Sequence, residues 1–322
     1  MRKREFERVM ALLAKATPAQ LRAAESRLTQ LNNAAAVLVM AETRITRKKA
    51  CPYCSSQAFH LWGRTPSGVQ RYRCSHCRRS FGALTGTAFS RIHNKVKLLE
   101  NAIEMRDFWS VRETAERLGV HRNTAFRYRH LMLPSLSKQQ PTSLGGVAEA
   151  DEMFFRRSYK GQKTGMPRPP HKRGMPAKKR GLSGEQVPVL TAISRGTRRA
   201  LMTVLPEPVN AAAIETVLRP VLGVDAVLCS DSASAYKAAA KAMGIHLRQI
   251  PSGSHKLGPY HIQNANGLHS RVRGRMRVFK GVATKYLDGY LAWIRFFDCA
   301  PERDAAKAFL LDAFDLAPPG TT

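Results

Sequence analysis

Apolar residues in the first 48 positions recur among charges at a helical spacing, and the pattern predicts two or three helices. Thr17 is placed to cap one of them, with Pro18 at the first helical position and Gln20 completing a capping box. The periodicity disappears between about 49 and 90, where Cys, Gly and Ser accumulate, and returns as helical sequence to about residue 133. Within SVRETAERLGVHRNTAFRYRHLML, Ser110 and Glu113 form a second capping box, Val111, Ala115 and Leu118 share a face, and Gly119 ends the helix. A following helix is expected from about Arg122 to Met132. The polar run PSLSKQQPTSLGG then marks a boundary.

Beyond that boundary the period changes to that of strands. GVAEADEMFF alternates, QVPVLTAIS and RRALMTVL are β-branched runs, and DAVLCSD reads as a buried strand feeding the helix SASAYKAAAKAMG. HIQNANGLHSRVRGRMRVF reads as an amphipathic helix. GVATKYLDGYLAWIRFFD reads as a buried helix that closes the domain, with Trp293 and Phe297 in its core and Asp288 at the surface. No internal repeat is visible. The expected fold class is multi-domain, α+β and α/β. Its parts are a helical segment (1–48), a cysteine-rich ribbon (49–90), a helix-turn-helix region (91–134), a linker (135–144), a mixed-sheet domain (145–300) and a C-terminal helix and tail (301–322).

Composition adds a partner to this outline. The 322 residues are 43% apolar, enough for two or three packed modules. Lys and Arg total 53 against 23 Asp and Glu, a formal charge of +30 with an isoelectric point near 10.7, so a polyanion is the natural partner. No run of eighteen apolar residues and no secretion signal stand out, and a cytoplasmic chain without membrane association is expected. In the helix pair, Arg122, Asn123, Thr124 and Arg127 would face outward toward base edges, with Arg129 and His130 toward phosphate. An ordinary two-helix corner has the same pattern. From Arg156 to Arg180 there are ten Lys or Arg residues and no acid, interleaved with Pro and Gly. This composition predicts a flexible insertion (156–186) that gains order on a DNA backbone.

Cysteine spacing predicts a metal. Cys51-Pro-Tyr-Cys54 and Cys74-Ser-His-Cys77 are separated by nineteen residues, the spacing of a four-cysteine zinc site, and a reducing compartment favours metal over disulfides. His60 and His76 are alternative ligands, and a pair of redox motifs is the alternative chemistry. RYRCSHCRRSF sets aromatic and cationic groups beside the second knuckle, which suits nucleic acid, although a ribbon can equally be a structural brace. Cys229 and Cys299 read as buried bystanders.

Two carboxylates sit at strand positions. Asp151 shares a face with Val147, Glu149, Met153 and Phe155, so one or two acids protrude from an apolar sheet surface. Asp231 ends the run AVLCS, where a strand meets a loop and where it could equally cap the next helix. Two such acids in a cationic protein point to a divalent-metal site for phosphoryl transfer, which needs a third ligand. The roles of Glu149 and Glu152 stay open.

The chain resembles bacterial insertion-sequence transposases of the fifteen-ninety-five family over about residues 15 to 298. The resemblance rests on the cysteine quartet followed by RRSFGALTGTAF, on EADEMFF, on CSDSASAY and on HIQNANGLHSRVRGRMRVFKGVATKYLDGYLAW. It implies a zinc ribbon, an RNase-H-like catalytic domain and a catalytic triad at Asp151, Asp231 and Asn266 holding Mg²⁺ or Mn²⁺. Arg273 matches a basic position on the same helix. Asn266 follows Asp231 by 35 positions and stands where Glu is commoner; its neutral amide binds Mg²⁺ less strongly than a carboxylate. Asn266, Ser270, Arg273 and Arg277 share a helical face, which could set the amide at metal and the arginines on phosphates. A solvated basic helix reads the same way. The implied activity is metal-dependent cleavage and strand transfer on double-stranded DNA, at the element's terminal inverted repeats and at target DNA. A homo-oligomer in the DNA complex and association with the nucleoid are implied as well. A non-catalytic DNA-binding remnant and an RNase-H-like nuclease are the alternatives.

Overall fold

The computed structural model describes residues 3–65, 69–90, 92, 94, 96–166, 183–206, 209–254, 256–299 and 305–314. The chain forms two compact units, Met1–Met105 with Ala306–Thr322, and Arg106–Ala305.

The first unit opens with α1 (Lys3–Leu13) and α2 (Pro18–Lys48). Thr17 Oγ1 accepts from the Gln20 N–H and Gln20 Oε1 accepts from the Thr17 N–H, the reciprocal box expected from the sequence. α1 buries no residue, whereas the far end of α2 buries Val37, Met40, Ala41 and Ile45. Strands β1 (Phe59–Arg64), β2 (Gln70–Cys74) and β3 (Ser80–Gly82) form an antiparallel sheet, followed by α3 (Val96–Met105), which packs on α2. Arg44, buried on α2, donates to the Ala83 carbonyl at 3.0 Å. Phe314 of the C-terminal helix Ala305–Phe314 meets Phe89 edge-on with ring centroids 5.3 Å apart.

The second unit begins with α4 (Val111–Leu118) and α5 (Arg122–Lys138). Ser110 and Glu113 cap α4 reciprocally, and Gly119 ends it at φ 61°, the left-handed conformation that glycine adopts without a Cβ clash. α5 runs through Pro134 to Lys138, so helix occupies the first positions that polar composition assigns to a linker. Next come β4 (Val147–Arg156), β5 (Gln186–Ser194), β6 (Ala200–Val204), α6 (Ala211–Leu218), β7 (Val227–Ser230), α7 (Ser234–Met243) and β8 (His246–Gln249). After them follow α8 (Gln263–Val278), a 3₁₀ turn (Thr284–Tyr286) and α9 (Leu287–Cys299). α6 and β8 were not expected from the sequence; HLRQ in β8 carries little hydrophobic signal.

The sheet is mixed, in the order β6-β5-β4-β7-β8. β4, β5 and β6 are antiparallel, and β7 and β8 run parallel to β4. Alternation gives β4 two chemically different faces. Ala148 and Ala150 join Leu190, Leu228, Ile214 and Tyr236 in an apolar core that includes residues of α6 and α7. Glu149, Asp151 and Met153 face the other way, and α8 packs on β4. α9 packs on α5, and at Gly289 a Cβ would lie 3.2 Å from the Leu133 Cβ, so glycine permits this approach. Trp293 is fully buried and Phe297 nearly so, while Asp288 is exposed. No helix among the described residues is long and apolar enough to cross a membrane.

Of the basic stretch, residues 167–182 lie outside the described residues. Its ends are strand: β4 ends at Arg156 and β5 begins at Gln186. Two expectations are corrected. Arg129 does not face solvent: it is 1% exposed, its Nη2 donates to the Trp109 carbonyl and the Thr114 hydroxyl, and its guanidinium lies 4.8 Å from the Trp293 ring centroid. Cys299 is exposed, while Cys229 is buried as expected.

Candidate metal centres and active site

The four thiols of the first unit converge. Cys51 and Cys54 flank one turn, Cys74 ends β2 and Cys77 closes the second turn; all four Sγ atoms lie within 4.8 Å of one another. Cys51 Sγ is 3.7 Å from Cys77 Sγ, and Cys54 Sγ is 3.6 Å from Cys74 Sγ. A tetrahedron with Zn–S bonds of about 2.3 Å has edges of about 3.8 Å, so the quartet can hold a zinc ion with little movement. The backbone N–H groups of Cys77 and His76 point at the Cys74 sulfur and hold its pKa down, to about 6, which favours the ligating thiolate. Neither His60 nor His76 belongs to the cluster.

The second centre lies where β4 and β7 run side by side. Their parallel register pairs Val147 with Val227, Ala148 with Leu228 and Glu149 with Cys229. Asp151 lies two residues further along β4, and Asp231 two residues beyond Cys229, just past the end of β7. Asp231 follows the last residue of β7, and its Oδ1 accepts from the Ala233 N–H at 3.0 Å, so one oxygen braces the turn into α7. Burial pushes the Asp151 carboxyl up to about 6. The Glu152 N–H, 2.9 Å from Oδ1, opposes the shift, the Asp231 charge adds to it, and Arg273 opposes it.

Glu152 points to the opposite face of β4 but remains within the field of both aspartates. Burial pushes it up to about 7; the Tyr236 hydroxyl opposes the shift without completing a hydrogen bond of good geometry, and Asp151 and Asp231 add to it. Sequence reasoning left this residue without a role, because strand alternation alone separates it from Asp151.

α8 supplies the third side. Ala265, Leu268, His269 and Val272 are buried, while Asn266, Ser270, Arg273 and Arg277 form an exposed face. His269 was not anticipated. Thr191 Oγ1 lies 2.8 Å from the Asp151 carbonyl oxygen, to which it can donate, and 2.5 Å from His269 Nε2. His269 Nδ1 lies 3.7 Å from Asp151 Oδ2. Burial, with Arg273 adding, holds the His269 pKa down to about 4 and keeps the ring neutral.

Glu149, two residues before Asp151 on the same face, is completely buried. Its carboxylate accepts from the Asn264 N–H at 2.7 Å, Asn264 Nδ2 at 2.7 Å, the Ala265 N–H at 3.2 Å and Arg195 Nε at 2.6 Å. Arg195 also donates to the Pro259 carbonyl at 2.8 Å and the His261 carbonyl at 3.0 Å. No local pattern could reveal Arg195, whose partners lie 46 to 66 residues away.

On the helix pair, Arg122, Asn123 and Arg127 are exposed and Thr124 is half-buried, at the start of α5.

Residues 143–296 match the family described as the ISXO2-like transposase domain. This segment is similar to the ISXO2-like transposase domain. The match spans β4, β7 and α8, and with them the positions of Asp151, Asp231 and Asn266. No curated protein matches the chain. Solved structures with some likeness include a chain of the simian T-cell lymphotropic virus intasome, at 9% identity over 60% of this chain and 67% of that chain, with a TM-score of 0.30. A pre-cleavage Mos1 transpososome (TM-score 0.22) and the Mos1 strand transfer complex (0.23) each share 11% identity over 67% of this chain and 76% of theirs. At such TM-scores these likenesses carry no argument.

Proposed function

We propose that the protein is an insertion-sequence transposase that binds element ends and performs metal-dependent strand cleavage and strand transfer on DNA through an RNase-H-like domain. One observation carries this reading: Asp151 on β4 and Asp231, just past the end of the adjacent parallel strand β7, lie within each other's electrostatic reach in a segment similar to a transposase domain, beside a helix that presents Asn266 and Arg273.

The donor set fits a hard cation, since it is all oxygen, and the raised pKa of Asp151 reflects a desolvated carboxylate whose charge lacks full compensation. Asp151, Asp231 and Asn266 would hold Mg²⁺ or Mn²⁺, which lowers the pKa of the attacking water or 3′-hydroxyl and neutralises charge on the in-line transition state. Asp151 and Asp231 contribute the negative oxygens, and Asn266 contributes a neutral one. Arg273, whose charge reaches Asp151, orients a phosphate of the strand to be cut, and Arg277 one turn on holds the backbone. Arg122, Asn123, Thr124 and Arg127 serve as the recognition side chains of a helix-turn-helix. Cys51, Cys54, Cys74 and Cys77 hold a structural zinc that braces a DNA-contacting ribbon. Two element ends must be joined, so a homo-oligomer assembles on DNA, in the cytoplasm and on the nucleoid.

Asn266 favours one further reading, a DNA-binding remnant without catalysis. The deciding experiment is cleavage and joining of labelled element-end DNA with Mg²⁺ or Mn²⁺, comparing wild type with Asp231→Ala and Asn266→Ala. Joined products from wild type alone, with DNA binding kept in both variants, support the transposase. Binding without cleavage under either metal sinks it in favour of the remnant. Cleavage without joining leaves a nuclease.

A further inference from the structure

We infer that Glu149 is a positioning residue, whose buried carboxylate caps α8 and thereby fixes Asn266 against Asp151. The inference rests on the metal site proposed above. A helix leaves its first N–H groups without intrahelical acceptors and concentrates positive charge there. The cap position of α8 is Ile262, which has no side-chain oxygen to offer. Glu149 supplies the oxygens from another element, accepting from the N–H groups of Asn264 and Ala265 and from the Asn264 side chain.

The spacing makes this cap a gauge. Glu149 lies two residues before Asp151 on the same strand face, and the N–H groups it holds, of Asn264 and Ala265, open the helix turn that carries Asn266, so the clamp adjoins a proposed metal ligand on both elements. Sliding or rotating α8 would break three hydrogen bonds to a fully buried charge, leaving it with Arg195 and, at 3.2 Å, His261 Nδ1. Arg195 neutralises that charge and, through the carbonyls of Pro259 and His261, ties down the chain leading into the helix. One turn on, His269 anchors α8 to Thr191, so Asn266 lies between two polar anchors. Burying a carboxylate is a costly way to pack a helix on a strand, but it specifies one register where apolar contacts tolerate several.

The test compares Glu149→Gln, Asn266→Ala and the double variant, reading Mn²⁺ affinity by electron paramagnetic resonance and single-turnover cleavage at saturating DNA. The Gln variant keeps the size but sets an amide N–H₂ against the donors of Asn264. It should keep its DNA affinity and circular dichroism, bind Mn²⁺ about tenfold more weakly, as expected for outer-shell partners, and cleave about a hundredfold more slowly, as for an ångström of misplacement. Because Glu149 acts through Asn266, the double variant should be no worse than Asn266→Ala alone. Multiplying losses would reveal a general structural role and overturn the inference, as would wild-type Mn²⁺ affinity and rate in Glu149→Gln. Should Glu149→Gln fail to fold, Asn264→Ala, at an exposed position, removes one contact of the clamp and must show the same non-additivity with Asn266→Ala. If wild type binds Mn²⁺ but cleaves nothing, the transposase reading fails, and the Mn²⁺ comparison still decides the role of Glu149.

Discussion

Replacing Arg195 with Met tests the buried pair at the base of α8 as a matter of stability. The substitution leaves the Glu149 carboxylate, which has no exposed surface, with its N–H donors and His261 Nδ1 at 3.2 Å but without its guanidinium partner. Removing one partner of a buried ion pair costs about 3–5 kcal/mol. The Arg195 side chain is 22% exposed, so water replaces part of what it gave, and the lower end, about 3 kcal/mol, is expected. For a folding unit of this size each kcal/mol moves the midpoint by about 2–4 °C, which gives a fall of about 6–12 °C. Differential scanning calorimetry of wild type, Arg195→Met, Glu149→Met and the double variant measures the fall and the coupling between the two residues. The double variant should lose less than the sum of the singles. A pair shielded from solvent should also keep its contribution in 0.5 M NaCl. Arg195→Met melting within two degrees of wild type, or a loss that salt abolishes, would refute the reasoning.

Two further outcomes follow from charge and metal. Asp151 and Glu152 have folded-state pKa values of about 6 and about 7, above their ordinary 3.8 and 4.5. Folding therefore favours their protonated forms: their contribution to stability is fully present below about pH 4 and is lost as the pH rises through 6 and 7. Melting curves of metal-free protein should show Asp151→Asn gaining on wild type across that window, and added Mn²⁺ should narrow the gap at pH 8; parallel curves would count against a desolvated carboxylate. The cysteine quartet should carry about one zinc per chain by mass spectrometry. Chelation or Cys74→Ser should abolish amide protection in β1, β2 and β3, whose short strands fold only around the metal; retained protection would make the quartet dispensable.

Features encoded by near neighbours were legible in the sequence. The capping boxes at Thr17 and Ser110 are bonds between residues three apart, and both formed as read. The cysteine quartet announced itself by spacing, and β4, β5 and β7 by alternation or continuous apolar runs, since a strand buried on both faces needs no more than its own composition. Asp151 and Asp231 were recognisable as carboxylates where apolar strands should carry none.

What the sequence could not say is which polar groups would find one another across long separations. Arg129 sits in a run of cations that reads as solvated, yet Trp109, Thr114 and Trp293 enclose it, because burial depends on what the folded chain brings to it. Arg195 looks like one surface cation among 53 Lys and Arg until the sheet sets it on Glu149. The sequence determined most of the elements, the thiol cluster, and the acids within β4 and after β7. The tertiary structure alone decided the parallel pairing of β4 with β7 and the buried carboxylate of Glu149 that caps α8. Local bonding fixes a strand or a helix, but the offset between two elements is fixed only when groups distant in the chain must satisfy one another away from water.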